Sequence, residues 1–377
     1  MIYLDYAAST PIEKEVLDVF YDVSSQCYAN PNSNHELGRE AKKLLDNSTL
    51  SIANCLHILP DEIIYTSGAS ESNNLVVKGI TSRYKARGKH IIVSSLEHNS
   101  ILVPLIKLQE QGFEVEIINV LKDGRIDIDT LKKMIRDDTI LVSICSVDSE
   151  LGIRQPIEEI GEILKNYPNT FFHTDASQAF GKILVDFSNV DLVTIAPHKF
   201  YGMNGFGRLI KKRNVGLVPL IDGGKSTTVF RSGTPVVASV VALEKAVEIA
   251  LLRLDSRFSY VTEVHDIVIS RLKKYSSVVI NSPKESIPYI INFSVKGVSS
   301  LSFVERLSCH GVYVSAKTSC CPIQSPSKLV YAYTRDRTLA ATSIRLSLSH
   351  LTSKEEIEEV FKIFDLCLRE VDINGKI

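Results

Sequence analysis

From about residue 36 to residue 212, short apolar runs of strand length alternate with segments whose apolar residues recur at helical spacing. Strand-length runs without a polar face are buried on both sides, and the alternation supplies a helix to cover each face. The pattern therefore predicts an α/β fold: a mostly parallel sheet with helices on both faces. Strands are expected at 63–66, 90–95, 115–120, 140–147, 171–175, 192–196 and 207–211, with helices at 36–56, 71–87, 101–111, 157–165 and 236–254. After residue 255 the rhythm changes to a long polar helix and then strands at 290–295, 313–316 and 344–348 interleaved with helices, which reads as a smaller α+β domain. The expected division is a large domain over 13–254 and a small domain over 255–377 together with 1–12. The last helix is expected to open with a Ser353/Glu356 capping box and to carry Ile357, Val360, Phe361, Phe364 and Leu368 on one face, with Cys367 beside it.

Composition narrows the function. With 43 basic and 44 acidic side chains the net charge is −1, so the chain lacks the positive field on which nucleic-acid binding draws. No stretch has the roughly 18 uninterrupted apolar residues of a membrane span, and Met1-Ile2-Tyr3-Leu4-Asp5 lacks the basic start and apolar run of a signal peptide. A cytoplasmic location is expected. The seven cysteines show neither CxxC nor Cys/His metal spacing, so no metal site and no disulfide framework is expected. Only Cys320 and Cys321, within the loop-like segment Lys317 to Ser327, stand out from the ordinary reading of a cysteine as a buried thiol.

Three places can carry chemistry. Thr66-Ser67-Gly68-Ala69-Ser70-Glu71 follows a strand and precedes a helix, so its backbone N–H groups can face an anion such as a phosphate; alone, it reads equally as a turn with a helix cap. Asp175 closes the apolar strand of Phe172-His173-Thr174, where open α/β sheets bind ligands, although a helix cap is the plain alternative. Lys199, in Ala196-Pro197-His198-Lys199-Phe200-Tyr201-Gly202, sits just past the next strand; a lone lysine there is usually solvated, but a desolvated one forms Schiff bases. An anion cradle, a carboxylate and an amine together are what pyridoxal 5′-phosphate requires.

These stretches, with Ile2-Tyr3-Leu4-Asp5-Tyr6-Ala7-Ala8-Ser9-Thr10-Pro11, Asn30-Pro31-Asn32-Ser33-Asn34-His35, Glu97-His98, Arg231-Ser232-Gly233-Thr234 and Ser343-Ile344-Arg345-Leu346-Ser347, make the chain resemble the cysteine desulfurases. That family lies in the class V group of fold-type I pyridoxal-phosphate enzymes, and the likeness runs over nearly the whole chain. It implies that Lys199 forms the Schiff base, Asp175 pairs with the pyridine nitrogen, His98 stacks on the ring and acts on protons, and Gln178 reaches the ring hydroxyl. Ala69, Ser70 and His198 are then expected at the phosphate, with Thr234 reaching in from the second subunit of a homodimer. Arg345 is expected to clamp the substrate carboxylate with its guanidinium fork. Cys320 matches the cysteine that takes sulfur from L-cysteine, leaving L-alanine and a persulfide for a sulfur-acceptor protein. Iron-sulfur cluster assembly, tRNA thiolation and a cofactor pathway are all open as destinations.

The chain departs from the family pattern in four places. Val-Asn-Asn-Glu is Val147-Asp148-Ser149-Glu150, and the Ser-Gly before His-Lys is Ala196-Pro197. The Gly-Gly-Gly-Gln/His-Glu stretch is Gly223-Gly224-Lys225-Ser226-Thr227, and Gly-Ser-Ala-Cys is Lys317-Thr318-Ser319-Cys320. If a positive φ is needed at that glycine position, Lys317 is expected to strain the backbone or the loop to take another path. The alternatives are a related class V enzyme acting on selenocysteine or cysteine sulfinate, an aminotransferase, or a degenerate partner protein. Retention of Lys199, Asp175, His98, Cys320 and Arg345 argues against the last.

Overall fold

The computed structural model describes residues 1–224, 226–317 and 325–373. After a two-residue strand β1 (Ile2–Tyr3), seven strands build the central sheet: β2 (Ile63–Thr66), β3 (His90–Ser94), β4 (Glu114–Ile118), β5 (Thr139–Ser143), β6 (Phe171–Asp175), β7 (Leu192–Ile195) and β8 (Gly207–Lys211). Their spatial order is β2-β8-β7-β6-β5-β3-β4. β3, β4, β5, β6 and β7 pair in parallel, whereas β8 runs antiparallel to both of its neighbours. The antiparallel return has a simple cause: the connection from β7 to β8 is too short for a crossover helix, so the chain can only turn back. That short connection carries Lys199. Strands β3, β5, β6 and β8 are buried at every residue, as double-sided cover demands, while the edge strand β4 exposes Glu114 and Ile117 and half-buries Glu116.

The helices of this half are α1 (Lys14–Gln26), α2 (Glu36–Leu56), α3 (Ala69–Tyr84), α4 (Asn99–Gln109), α5 (Ile128–Met134), α6 (Ile157–Leu164) and α7 (Val237–Leu252). Five of them are the expected helices, α2 with the expected ends and the other four with shifted ones. Two were not legible in the sequence. α1 buries only Val16, so its apolar stripe is too narrow to stand out, and α5 is two turns long, started by Asp127, whose side chain accepts the Asp129 N–H.

The remaining part contains α8 (Leu254–Leu272), β9 (Val278–Ile280), β10 (Ile290–Val295), α9 (Ser300–Cys309), β11 (Val312–Tyr313), α10 (Lys328–Thr334), α11 (Arg337–Thr342), β12 (Ser343–Ser347) and α12 (Lys354–Ile373). β12, β10 and β9 form an antiparallel sheet, and β1 pairs with β11. The expected strands are present, but the 313–316 strand is shorter and starts one residue earlier, and β9 is an addition. α12 opens with the capping box: Glu356 N–H donates to Ser353 Oγ at 3.0 Å and Ser353 N–H to Glu356 Oε2 at 2.9 Å. Ile357, Val360, Phe361, Phe364 and Cys367 are all buried, and burial pushes the Cys367 thiol up to about 11, which makes it an inert core group. One core cluster joins both parts of the chain, running from Leu45 and Val240 through Phe303 to Phe364. Among the described residues, no helix is long and apolar enough to cross a membrane.

Candidate active site

Five connections leave the carboxyl ends of β2, β3, β5, β6 and β7 on one side of the sheet, where they enclose a cavity of about 410 Å³. The floor is the β2–α3 turn. No side chain caps α3, so the N–H groups of its first turn are satisfied by neither a cap nor the helix, and Ala69, Ser70 and Glu71 line the cavity. Gly207 lets this turn sit where it does: a Cβ there would lie 2.5 Å from the Gly68 Cα. The carboxylate of Glu71 accepts from Ser67 N–H at 2.7 Å and from Arg231 Nε at 3.0 Å. Burial alone would raise its pKa, but these donors outweigh it and hold the group below the usual range.

Asp175 ends β6 with its carboxylate at the cavity wall. Oδ1 accepts the Ser177 N–H at 2.9 Å within a turn, since no helix follows β6 for Asp175 to cap, and Oδ2 accepts from Asn73 Nδ2 at 2.8 Å. The same Asn73 nitrogen donates to Ser100 Oγ at 2.8 Å, and that hydroxyl lies 2.8 Å from His98 Nδ1. His98 Nδ1 also accepts the Ser100 N–H at 3.2 Å as the cap of α4, which puts the proton of the neutral ring on Nε2. Asn73 thus holds Asp175 and His98 in one network. It went unrecognised as a site residue because nothing in a sequence ties residue 73 to residue 175.

Lys199 lies in a single 3₁₀ turn that Pro197 begins. Its Nζ donates to the carbonyls of Ala7 at 2.7 Å and Ala8 at 2.5 Å, and Thr10 pins the turn by donating its N–H and Oγ1–H to the His198 carbonyl. The N-terminal segment therefore forms one wall, a role its distance along the chain concealed. Burial, reinforced by the neighbouring Lys199 and Lys182 charges, lowers His198 to about 4, so it enters the cavity as a neutral donor. Gln178, also at the wall, donates from Nε2 to the Ala7 carbonyl at 2.9 Å and accepts from the buried Lys182 Nζ at 2.6 Å.

Arg345 is not the surface ion pair of the plain reading. It is buried on β12, donating from Nη2 to Asp5 Oδ1 at 2.7 Å and from Nη1 to the Ser149 carbonyl at 2.8 Å, and it lines the same cavity. The altered Val147–Glu150 stretch has its own logic. Asp148 accepts the N–H groups of Glu150, Leu151 and Ile153 at 2.9, 2.7 and 2.7 Å and so builds the turn that presents Ser149, while burial pushes its carboxyl up to about 6.

The expected residues Ala69, Ser70, His98, Asp175, Gln178, His198, Lys199 and Arg345 all line this one cavity. Thr234 does not; it lines a separate space of about 120 Å³ that shares Ser67 with the first. Cys320 and Cys321 lie outside the described residues. The stem leading to them is described: Ser315 and Arg345 exchange backbone hydrogen bonds at 3.1 and 2.7 Å, and Lys317 Nζ donates to Ser325. The strain expected at Lys317 is absent, because the positive φ values among described non-glycine residues belong to His57, Tyr201 and Arg335. A larger cavity of about 1040 Å³, bordered by Phe180, Leu184 and Phe187, contains none of the expected residues.

The cavity suits pyridoxal phosphate. It offers an uncapped helix N-terminus for the phosphate, a carboxylate for a protonated ring nitrogen, and an amine in one enclosed space. Comparisons with known proteins point the same way. The class-V aminotransferase family profile matches residues 2–360. A protein of Dictyoglomus turgidum named cysteine desulfurase IscS is 38% identical over 375 residues, covering 98% of this chain and 95% of that relative. A solved structure titled NifS-like protein superimposes with a TM-score of 0.92 at 30% identity, over 98% of this chain and 100% of the other. Another, titled SspA in complex with cysteine, gives 0.82 at 30% identity over 94% and 100%.

Proposed function

The chain belongs to the class-V aminotransferase family and is a cysteine desulfurase, and we propose that it carries pyridoxal 5′-phosphate and converts L-cysteine to L-alanine, leaving the sulfur as a persulfide on Cys320 for a protein acceptor. The observation that carries this reading is the gathering of Lys199, Asp175, His98 and the uncapped start of α3 around one cavity with Arg345 at its wall. When bound, the cofactor supplies an electron sink at the substrate amine.

The remaining work falls to the chain itself. Asp175, steadied by Asn73, keeps the ring nitrogen protonated, and the first turn of α3 with neutral His198 holds the phosphate. Arg345 takes the substrate carboxylate; its tie to Asp5 means that the incoming carboxylate competes with one already in place. Lys199 would move the proton at the substrate Cα to and from its own amine, and His98, whose Nε2 carries the ring proton, would serve as a proton donor facing the cavity. The Cys320 thiolate attacks the substrate sulfur: an S–S bond forms, the Cβ–S bond breaks with its electron pair left on carbon, and a proton completes the methyl group of alanine. Sulfur is oxidised and carbon reduced within one exchange, so no outside oxidant is needed. As in the sequence reading, a homodimer with Thr234 contributed across the interface and a cytoplasmic location belong to this proposal. Support for the homodimer comes from Val218, Leu220, Ile221, Val229 and Val236, exposed apolar side chains on the stretch that leads to and flanks Thr234.

The direct test is alanine release from L-cysteine by the pyridoxal-loaded protein under reducing conditions, with Cys320→Ala run beside it. Alanine from the wild type and a loss of about a hundredfold or more in the variant is the expected result. A loaded wild-type protein that yields no alanine overturns the reading.

A further inference from the structure

Lys182 is buried at 6% exposure, and among the described residues no carboxylate lies within ion-pair distance of its ammonium. A lysine placed this way costs stability that a methionine would not, so its presence calls for another explanation. Its hydrogen-bond partner among the described residues supplies it. Lys182 Nζ lies 2.6 Å from Oε1 of Gln178, four residues earlier in the turn after β6. The other end of that amide donates to the Ala7 carbonyl at 2.9 Å, and the same carbonyl accepts from Lys199 Nζ at 2.7 Å. A carbonyl can only accept and a lysine is the donor at the far end, so the sense of the Gln178 amide is fixed from both sides. An amide nitrogen carries two N–H groups, and the second is left for the cavity that Gln178 lines.

We infer that Lys182 is a positioning residue for Lys199: by holding Gln178 Oε1 it keeps the N–H end of the amide toward the Ala7 carbonyl and the cavity, and that shared carbonyl holds the Lys199 amine. The inference rests on the pyridoxal reading above. Without Lys182, the buried Oε1 loses its donor and the amide is free to turn its oxygen toward the cavity. The N–H end of Gln178 opposes a positive charge at the Lys199 nitrogen, so its loss raises the pH at which that nitrogen gives up its proton. Burial and the Lys199 and Arg345 charges push Lys182 itself well below the usual lysine range, in keeping with its close approach to them. Other groups also face Lys199: Asp175 from β6, Glu71 from α3, His98 ahead of α4, Cys145 and Asp148 after β5, His198 beside it, and Arg345 from β12 with Asp5 upon it. All of them remain in a Lys182 variant and set the baseline from which the shift is read.

The experiment is a pH titration of the visible absorption band of the pyridoxal-loaded full chain, with borohydride trapping to locate the cofactor on Lys199. Lys182→Met and Gln178→Ala are each expected to raise the midpoint by about one pH unit. The double variant is expected to titrate like Gln178→Ala alone, because Lys182 acts through Gln178. A merely structural Lys182 lowers the melting temperature and leaves the midpoint where it was. If Lys182→Met does not fold, Lys182→Gln takes its place, and its pairing with Gln178→Ala is expected to show the same lack of additivity. A wild-type midpoint in the Lys182 variant, or a shift that adds in full to that of Gln178→Ala, overturns the inference. A wild-type protein that forms no band trapped on Lys199 overturns the pyridoxal reading first, and this inference with it.

Discussion

Glu97 and His98 are neighbours with opposite fates at one wall of the cavity. His98 faces the space, while Glu97 is fully buried behind it, accepting from Ser94 Oγ at 2.6 Å and Cys145 N–H at 2.7 Å with its second oxygen unpartnered. Burial is the main cause that raises its pKa from 4.5 to about 8, so the folded protein keeps Glu97 protonated at neutral pH. The sign follows from linkage. Between 4.5 and about 8 the folded state binds a proton that the unfolded state has lost, so the contribution of Glu97 to stability is present below 4.5 and drains away as pH rises through about 8. Glu97→Gln keeps the accepting oxygen and removes the titration. Wild type is therefore expected to lose ground to this variant in urea midpoint between pH 5 and pH 8.5; an unchanged difference at the two pH values counts against a buried neutral Glu97. The Glu97-His98 pair was visible in the sequence, but which of the two meets the cavity was not, because only burial separates them.

At the scale of elements, the proposed phosphate cradle depends on two pieces of chain meeting at a point. β2 and β8 pair with Thr66 opposite Gly207, and the turn into α3 then passes directly over Gly207. A methyl group there meets the Gly68 Cα at 2.5 Å and its carbonyl carbon and nitrogen at 2.8 Å, all backbone atoms that cannot swing aside. Gly207→Ala is expected to weaken cofactor binding by about tenfold or more, roughly 1.4 kcal/mol or above, by displacing the helix start. Titration of the apo-protein with pyridoxal phosphate measures this, and unchanged affinity would show that the cradle tolerates the shift. The sequence placed both β2 and β8 but gave no sign that they touch. Their contact arises because β8 turns back antiparallel into the gap between β7 and β2.

For the whole molecule, the N-terminal segment acts as a strap. β1 pairs with β11 of the smaller sheet region, Asp5 meets Arg345, the Ala7 and Ala8 carbonyls hold Lys199, and Thr10 fixes the His198 turn. Ten residues thus reach both Lys199, 192 positions on from Ala7, and Arg345, 340 positions on from Asp5. The exposed Val229 and Val236 flank Thr234, which lines a space beside the cavity of its own chain. Sedimentation at micromolar concentration is accordingly expected to give about twice the 41.9 kDa chain mass. A species of single-chain mass that still releases alanine would remove the homodimer, and Thr234 with it, from the proposed site.

The alternation of apolar runs and helical periods was enough to determine the parallel sheet, its helical cover and the ends of strands where chemistry collects, because both faces of a buried strand must be apolar and a parallel return needs a crossover. The family-like motifs then singled out Lys199, Asp175, His98 and Arg345 as candidates, and these four line one cavity. What tertiary structure alone decided is how those groups are held: Asn73 across to Asp175 and His98, Asp5 onto Arg345, and Lys182 through Gln178 and Ala7 to Lys199. Hydrogen bonds of this kind act over about 3 Å and are blind to distance along the chain, so they carry no period or spacing that a sequence could display.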